Sequence, residues 1–347
     1  MERILVVLPN WFGETLFATP VLRALRQHRP RAFLATLGRP QCREVLLHNP
    51  HVDDYLVYDE QGLHQSLAGK WRLTRTVRAR AFTTAFILRK SLSRSLLLFL
   101  AGIPIRVGFD NPKSGWLLTH RVPARVQPTH KASAYFPLVE VVGVPPPEGG
   151  YDYRVSDEER RAAQAFLSAR QLLNGRALVV LHPGANWPHK RWPTERFAAL
   201  GDQLVEAQRA QIALTGGADD VELAGAVARR MRHPATVLAG QTTLRECAAC
   251  VEQAQVVVSN DTGLLHVAAA LGRPLVALYG PTSPRLTGPL GDPRRTVVLH
   301  HPDCCPSVPC YQPERPPHPG MSAISVDEAY EAASDLLKEG ERLKVKG

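Results

Sequence analysis

Short apolar runs alternate along this chain with longer segments whose apolar residues recur at helical spacing. In the first half the runs are "RILVVLP" (3–9), "AFLATLG" (32–38), "DYLVYD" (54–59), "TTAFIL" (83–88) and "IRVGF" (105–109). "VVGVPPPEGGYDYRV" (141–155) then concentrates Pro and Gly, which continue neither a helix nor a central strand. The alternation resumes with "ALVVLHPG" (177–184), "QIALTGG" (211–217), "ATVLAG" (235–240), "VVVSN" (256–260) and "LVALYG" (275–280). Strand–helix alternation of this kind predicts parallel sheets covered by helices. The simplest organisation is two open α/β domains joined by a linker, 1–155 and 156–347, with a last helix from Ser325.

Open parallel sheets bind ligands beyond the carboxyl ends of their strands. Four polar loops directly after strands therefore carry the candidate chemistry: "PNWFGET", "HPGANWPHKRWP", "TGGADDVE" and "NDTGLLH". The last lies in "VVVSNDTGLLHVAAALGRPLVALYG" (256–280), a strand, a polar turn, a short helix ended by Gly272 and Pro274, and a second strand. A helix N-terminus at a sheet's carboxyl edge binds anions through free N–H groups. Asp261 or Thr262 is equally readable as a plain N-cap. Lys190 is placed to neutralise a diphosphate leaving group, or is a solvated surface lysine; Arg191 reads as surface. Gly216 and Gly217 permit a tight turn before Asp219, Asp220 and Glu222, carboxylates suited to ribose hydroxyls or simply to the helix dipole. Glu14, after Gly13, is a general base or a helix-start charge, and Pro20 marks the first turn of its helix or a kink in it. His266 is a core histidine or a ligand contact. Cys247 and Cys250, three apart on a helix, read as core packing, because no second pair completes a zinc site.

Composition narrows the field. The 347 residues are 44% hydrophobic and 21% charged, enough for a sizeable core. Neither a signal-peptide h-region nor a spanning run appears, the longest uncharged apolar stretch being Ser95 to Ile105, which predicts a cytosolic protein. Six scattered cysteines do not make a disulfide framework. A net charge of +10 favours anionic partners. Nucleic acid is set aside, since no RNP, KH or zinc-finger pattern appears. Phosphate loops of the G-x-G-x-x-G and G-x-x-x-x-G-K-[ST] types are missing, as is any D-x-D. Phosphate charge then falls to N–H groups and side-chain cations, with no metal and no cofactor.

Taken in order, "LPNWFGETLFATPVLRAL", "AGIPIRVGF", "HPGANWPHKRWPTERFAAL", "LAGQTTLRECAACVEQAQVVVSNDTGLLHVAAALGRPLVALYGPTSP" and "ISVDEAYEA" resemble the lipopolysaccharide heptosyltransferases of glycosyltransferase family 9. The resemblance implies a GT-B architecture of two Rossmann-like domains facing across a cleft, the last helix (about 325–340) packing back on the first. It implies inverting, metal-independent transfer from ADP-L-glycero-D-manno-heptose to the lipopolysaccharide inner core. Glu14 takes the place of the catalytic base and Lys190 that of the diphosphate lysine. Asp261, Thr262, Gly263, Leu264 and His266 take the places of the sugar and phosphate contacts, Asp261 being counted with the catalytic residues. Gly13, Gly184 and Gly216 join the donor site. The ribose carboxylate falls among Asp219, Asp220 and Glu222, with Glu222 slightly ahead. Arg89, Lys90, Arg94 and Arg106 are candidates for the anionic acceptor, and the same basic face for peripheral contact with the cytoplasmic side of the inner membrane.

Two departures stand out. Many members have Asp where Glu14 stands. Some carry a longer cysteine cluster near the C-terminus, whereas here Cys304, Cys305 and Cys310 are followed by "ERPPHPGM", which has no cysteine. The competing expectations are a GT-B enzyme of different donor or acceptor, epimerases included, and a non-catalytic nucleotide-sugar-binding member.

Overall fold

The computed structural model describes residues 1–123, 129–305, 307–310 and 317–345, so part of the Pro-rich loop read after Cys304 lies outside the described residues. The chain divides into two compact units, Met1–Tyr153 and Arg154–Gly347. In the first, strands β1 (Arg3–Val7), β2 (Phe33–Gly38), β3 (Asp54–Val57), β4 (Thr84–Ile87), β5 (Ile105–Phe109) and β6 (His120–Val122) form one sheet. Helices α1 (Phe12–His28), α2 (Arg43–Leu46), α3 (Leu67–Ala79), α4 (Leu92–Leu100) and α5 (Phe136–Glu140) belong to the same unit. In the second, helices α6 (Asp157–Ser168), α7 (Thr194–Gln208), α8 (Val221–Arg230), α9 (Leu244–Glu252), α10 (Gly263–Ala270), α11 (Pro284–Thr287), α12 (Pro319–Ala323) and α13 (Val326–Val345) accompany another sheet. Its strands are β7 (Leu178–His182), β8 (Gln211–Leu214), β9 (Thr236–Val237), β10 (Val256–Asn260), β11 (Leu275–Tyr279) and β12 (Thr296–His300).

Both sheets are parallel, ordered β3-β2-β1-β4-β5-β6 and β12-β11-β10-β7-β8-β9. Counting strands within each unit, this is the same 3-2-1-4-5-6 order twice, the Rossmann arrangement. Its switch point lies between the first and fourth strands. That point falls between β1 and β4 in the first unit and between β7 and β10 in the second. The central strands β7, β10 and β11 are buried throughout, as their uninterrupted apolar runs require. Of the four edge strands β3, β6, β9 and β12, the sequence runs include β3 and β9 but not β6 and β12, which are short or half-covered and need little apolar patterning.

Helix α1 begins at Phe12, so Pro20 lies inside it rather than at its start. Proline lacks the N–H that would serve the Leu16 carbonyl, and the Thr19 hydroxyl serves that carbonyl instead at 2.7 Å. The helix continues. Helix α10 ends as its sequence requires, with Gly272 in the left-handed region at φ 65°.

Ala329, Ala333, Leu336 and Leu337 of α13 enter the apolar core of the second unit with Phe197, Leu200 and Leu204 of α7. Its apolar stripe, repeating at three and four residues, has partners in this unit's own sheet and α7.

Two acceptor candidates are also used structurally. Arg94 is buried, and its guanidinium donates to the Leu8 carbonyl (3.0 Å), Asn10 Oδ1 (2.5 Å) and Glu60 Oε2 (3.1 Å). It braces the loop after β1, and the reading as a surface or acceptor-binding charge is withdrawn. Arg106 donates to carbonyls of Leu117 and Ile103 near the amino end of β5, away from the carboxyl edge where ligands bind, so it is withdrawn as well. Arg89 and Lys90 are exposed in the loop after β4, at the switch point. Replacing Arg94 by Met strands several buried acceptors, and roughly 3 kcal/mol of unfolding free energy should be lost. Urea titration measures it, and a loss well under 1 kcal/mol would contradict this bracing role.

Candidate active site

At the switch point of the second sheet, Asn260 ends β10 with its side chain buried. Its amide donates to the Pro183 carbonyl at 2.8 Å, and its Oδ1 accepts the Trp192 backbone N–H at 3.1 Å. One side chain thus holds both ends of the loop after β7. Trp192 is itself buried edge-on against Phe197 and donates its indole N–H to the Ile324 carbonyl at 3.0 Å. Arg191 is not a free surface charge: its guanidinium closes the same loop onto the Ala185 carbonyl at 2.8 Å and 3.0 Å.

The loop so held carries Lys190, whose Nζ donates to Asp261 Oδ2 at 2.6 Å. Thr282, after β11, donates its hydroxyl to the same oxygen at 2.7 Å. His266 Nε2, one turn into α10, lies 3.9 Å from Asp261 Oδ1. Asp261 is 5% exposed and Lys190 24%, so the cation alone faces solvent. Burial pushes the Asp261 carboxyl up, but Lys190, His266 and the Lys190 and Thr282 hydrogen bonds outweigh it and hold the group below its ordinary value. The plain N-cap reading fails, because Thr262 stands at the cap with no side-chain bond to the first-turn amides and Asp261 is engaged elsewhere. The N–H groups at Gly263 and Leu264 open α10 with no side chain capping them. An uncapped helix start beside a half-exposed lysine is an anion-binding arrangement.

The glycine loops are held by Asp220. Its Oδ2 accepts the Gly217 N–H at 3.0 Å, and its carboxylate lies where a side chain on Gly184 would stand, 2.6 Å from the position of a Cβ. Gly216 is confined in the same way by the Asp220 Cβ at 2.5 Å. Asp220 is thereby spent on the turn. Asp219 is exposed, and Glu222 lies on the solvent side of α8, paired with Arg229 at 2.6 Å. His182, ending β7, meets the Thr215 hydroxyl at 3.3 Å. Burial lowers its pKa to about 4 against the opposing pull of Asp220 and Thr215, so the ring is neutral at pH 7.

In the first unit, Glu14 occupies the first turn of α1, half-exposed, with Gly13 beside it and Lys131 Nζ 3.6 Å from its Oε1. Cys42, fully buried, packs its sulfur 3.6 Å from the Asn10 carbonyl and so lines the same loop. Cys247 and Cys250 are core residues, as read, with thiols pushed up to about 12 and about 11 by burial. Asn260, Trp192, Thr282 and His182 were missed as site residues. Asn260 and Thr282 both stood in the quoted block, but nothing local distinguishes an asparagine that spans two loops from one that ends a strand. Among the described residues, the His and Cys side chains close enough to share an ion lie elsewhere, at Cys305, Cys310 and His318.

A depressed carboxyl pKa contributes stability that is present above about pH 4 and is lost as the pH falls through the folded-state value. Replacing Lys190 by Met removes the main cation and lets burial raise Asp261. The variant should therefore lose stability progressively, relative to the native chain, as pH rises from 4 to 7. Urea midpoints across that range test the point, and parallel profiles would refute it.

The family profile of Glycosyltransferase family 9 (heptosyltransferase) matches residues 70–316. Lipopolysaccharide heptosyltransferase 2 of Salmonella typhimurium is 31% identical over 310 residues, which cover 86% of this chain and 88% of that protein. Among solved structures, a glycosyl transferase family 9 protein from Veillonella parvula superposes with a TM-score of 0.88 at 28% identity, covering 97% of this chain and 98% of the other. ADP-heptose lps heptosyltransferase II of E. coli does so with a TM-score of 0.82 at 27% identity, covering 98% and 100%. The two parallel α/β units are those of the GT-B heptosyltransferases, and this chain belongs to glycosyltransferase family 9, the heptosyltransferases.

Proposed function

We propose that this enzyme transfers L-glycero-D-manno-heptose from the ADP-sugar to the lipopolysaccharide inner core, with inversion and without a metal ion, as a heptosyltransferase of type II. The observation that carries the reading is the Lys190–Asp261 pair at the uncapped start of α10. Lys190 and the N–H groups of Gly263 and Leu264 meet the donor diphosphate. Asp261 orients that lysine and, on its other oxygen, receives sugar hydroxyls together with His266. Gly184 and Gly216 let Asp220 brace the strand ends, and the exposed Asp219, or Glu222 on release from Arg229, takes the ribose hydroxyls. Glu14 removes the proton of the acceptor hydroxyl as its oxygen attacks the anomeric carbon. The bond to the diphosphate breaks in the same displacement, and ADP leaves with its new charge held by Lys190 and the helix start.

Acceptor contact falls to the exposed Arg89 and Lys90. The neighbouring α4 exposes Leu92, Leu96, Phe99 and Leu100, with Trp116 ring to ring with Phe99 at 6.5 Å. Apolar residues beside exposed cations suit shallow contact with an anionic bilayer surface, where the lipid-linked acceptor resides. No described helix is long and apolar enough to cross a membrane.

Purified protein, ADP-heptose and a heptose-deficient core of defined length, without divalent metal, should release ADP and add one heptose to the acceptor mass. Glu14→Gln should lower kcat by about a hundredfold to ten-thousandfold while leaving donor affinity intact. ADP-heptose binding with no acceptor gaining mass sinks the transfer reading. Vesicle sedimentation tests the surface: binding should require anionic lipid, weaken with salt, and fail in the Leu96→Asp, Phe99→Asp double variant, whereas unchanged binding by that variant would remove α4 from the contact.

A further inference from the structure

The loop that joins β12 to α12 crosses back over the end of β11 with no regular structure of its own beyond one short helical turn among the described residues. Its Cys310 N–H donates to the Pro281 carbonyl at 2.7 Å, and Met321 of α12 packs where a side chain on Gly280 would stand. Within this crossing, one donor atom each from Cys305, Cys310 and His318 gather within 4.8 Å of one another. Cys310 and His318 are 8% and 5% exposed, and Cys305 is half-buried. His318 uses Nδ1 to accept the Gly320 N–H at 3.1 Å, whereas its Nε2 has no hydrogen-bond partner.

We propose that Cys305, Cys310 and His318 bind a thiophilic divalent cation, of which zinc is the type, and that the ion staples this loop to the Gly280–Pro281 turn. Two sulfurs and an imidazole are a donor set that selects zinc, or ferrous iron, over magnesium or calcium. Tetrahedral zinc separates its ligands by about 3.5–4 Å, given the usual bond lengths, so the three groups need only a small contraction. Solvent completes the tetrahedron. Ligation through Nε2 requires the tautomer that carries its proton on Nδ1, so His318 gives up the Gly320 N–H as the ion binds. Binding displaces the two thiol protons to solvent. The ion takes no step in the transfer chemistry, although the turn it staples precedes Thr282. The stretch "ERPPHPGM" has no cysteine, and its His318 supplies the third ligand.

The competing arrangement for these sulfurs is a Cys305–Cys310 disulfide, and the experiment separates the two. Full-length protein, purified with reductant, is stripped with a chelator and titrated with cobalt(II). One equivalent should bind, with thiolate-to-cobalt charge-transfer and tetrahedral ligand-field bands that zinc abolishes. The charge-transfer intensity should fall by about half in Cys305→Ser and in Cys310→Ser, while Cys247→Ser, a buried thiol elsewhere, leaves it unchanged. His318→Gln should weaken cobalt affinity at least about tenfold, as loss of a ligand or of its support does. Should Cys310→Ser fail to fold, the titration of the native chain and of the half-buried Cys305→Ser still decides. Absence of the bands in the native chain, indifference of the bands to both cysteine variants, or a Cys305–Cys310 disulfide in the mass spectrum of reductant-prepared protein overturns the proposal.

Discussion

The buried amide of Asn260 is the interaction on which the site depends. It satisfies a carbonyl at one end of the loop after β7 and an N–H at the other, and it does so from the residue directly before Asp261. The loop that carries Lys190 and the turn that carries Asp261 are therefore registered through one planar group. A buried amide with a missing partner costs about 1–3 kcal/mol, so the pairing tolerates little slack. Lys190 consequently meets Asp261 as a preformed ion pair, with its ammonium directed to where an anion would be received.

Burying the acid and leaving the base partly exposed sets the direction of the chemistry. Asp261 stays ionised because three neighbours favour its charge more than burial opposes it. Its second acceptor oxygen then remains for neutral hydroxyls. On the neighbouring strands, Asp220 is spent on a turn, and His182 is kept neutral by burial. Lys190 and the N–H groups that open α10 thereby stand together at this carboxyl edge, an arrangement suited to an anion.

The same economy of charge appears beyond the Lys190–Asp261 pair. Arg94 and Arg191 serve backbone carbonyls and hold loops, and Arg245 clamps Glu159 between α6 and α9 at 2.6 Å and 2.8 Å. Burial opposes the Glu159 charge, yet Arg245 and the Ser156 cap bring its pKa down to about 2. Some of the basic residues are therefore internal braces, and net charge by itself exaggerates the electrostatic surface open to anionic partners.

What the chain alone determined is what depends on neighbours within a few residues. Period-two and period-3.6 patterning, the Pro/Gly break near residue 150 and the stop signals of α10 defined two parallel α/β units. The polar loops after their strands contained Glu14, Lys190 and Asp261. What only the tertiary structure decided depends on residues far apart in sequence. Lys190 and Asp261 are joined across 71 positions, Thr282 reaches Asp261 from another strand, and Arg94 answers a carbonyl 86 positions earlier. A guanidinium, a carboxylate or an imidazole looks the same in a sequence whether solvent or a carbonyl receives it. Its role is set by burial and by which partner the fold brings within about 3 Å, and local pattern carries no record of either.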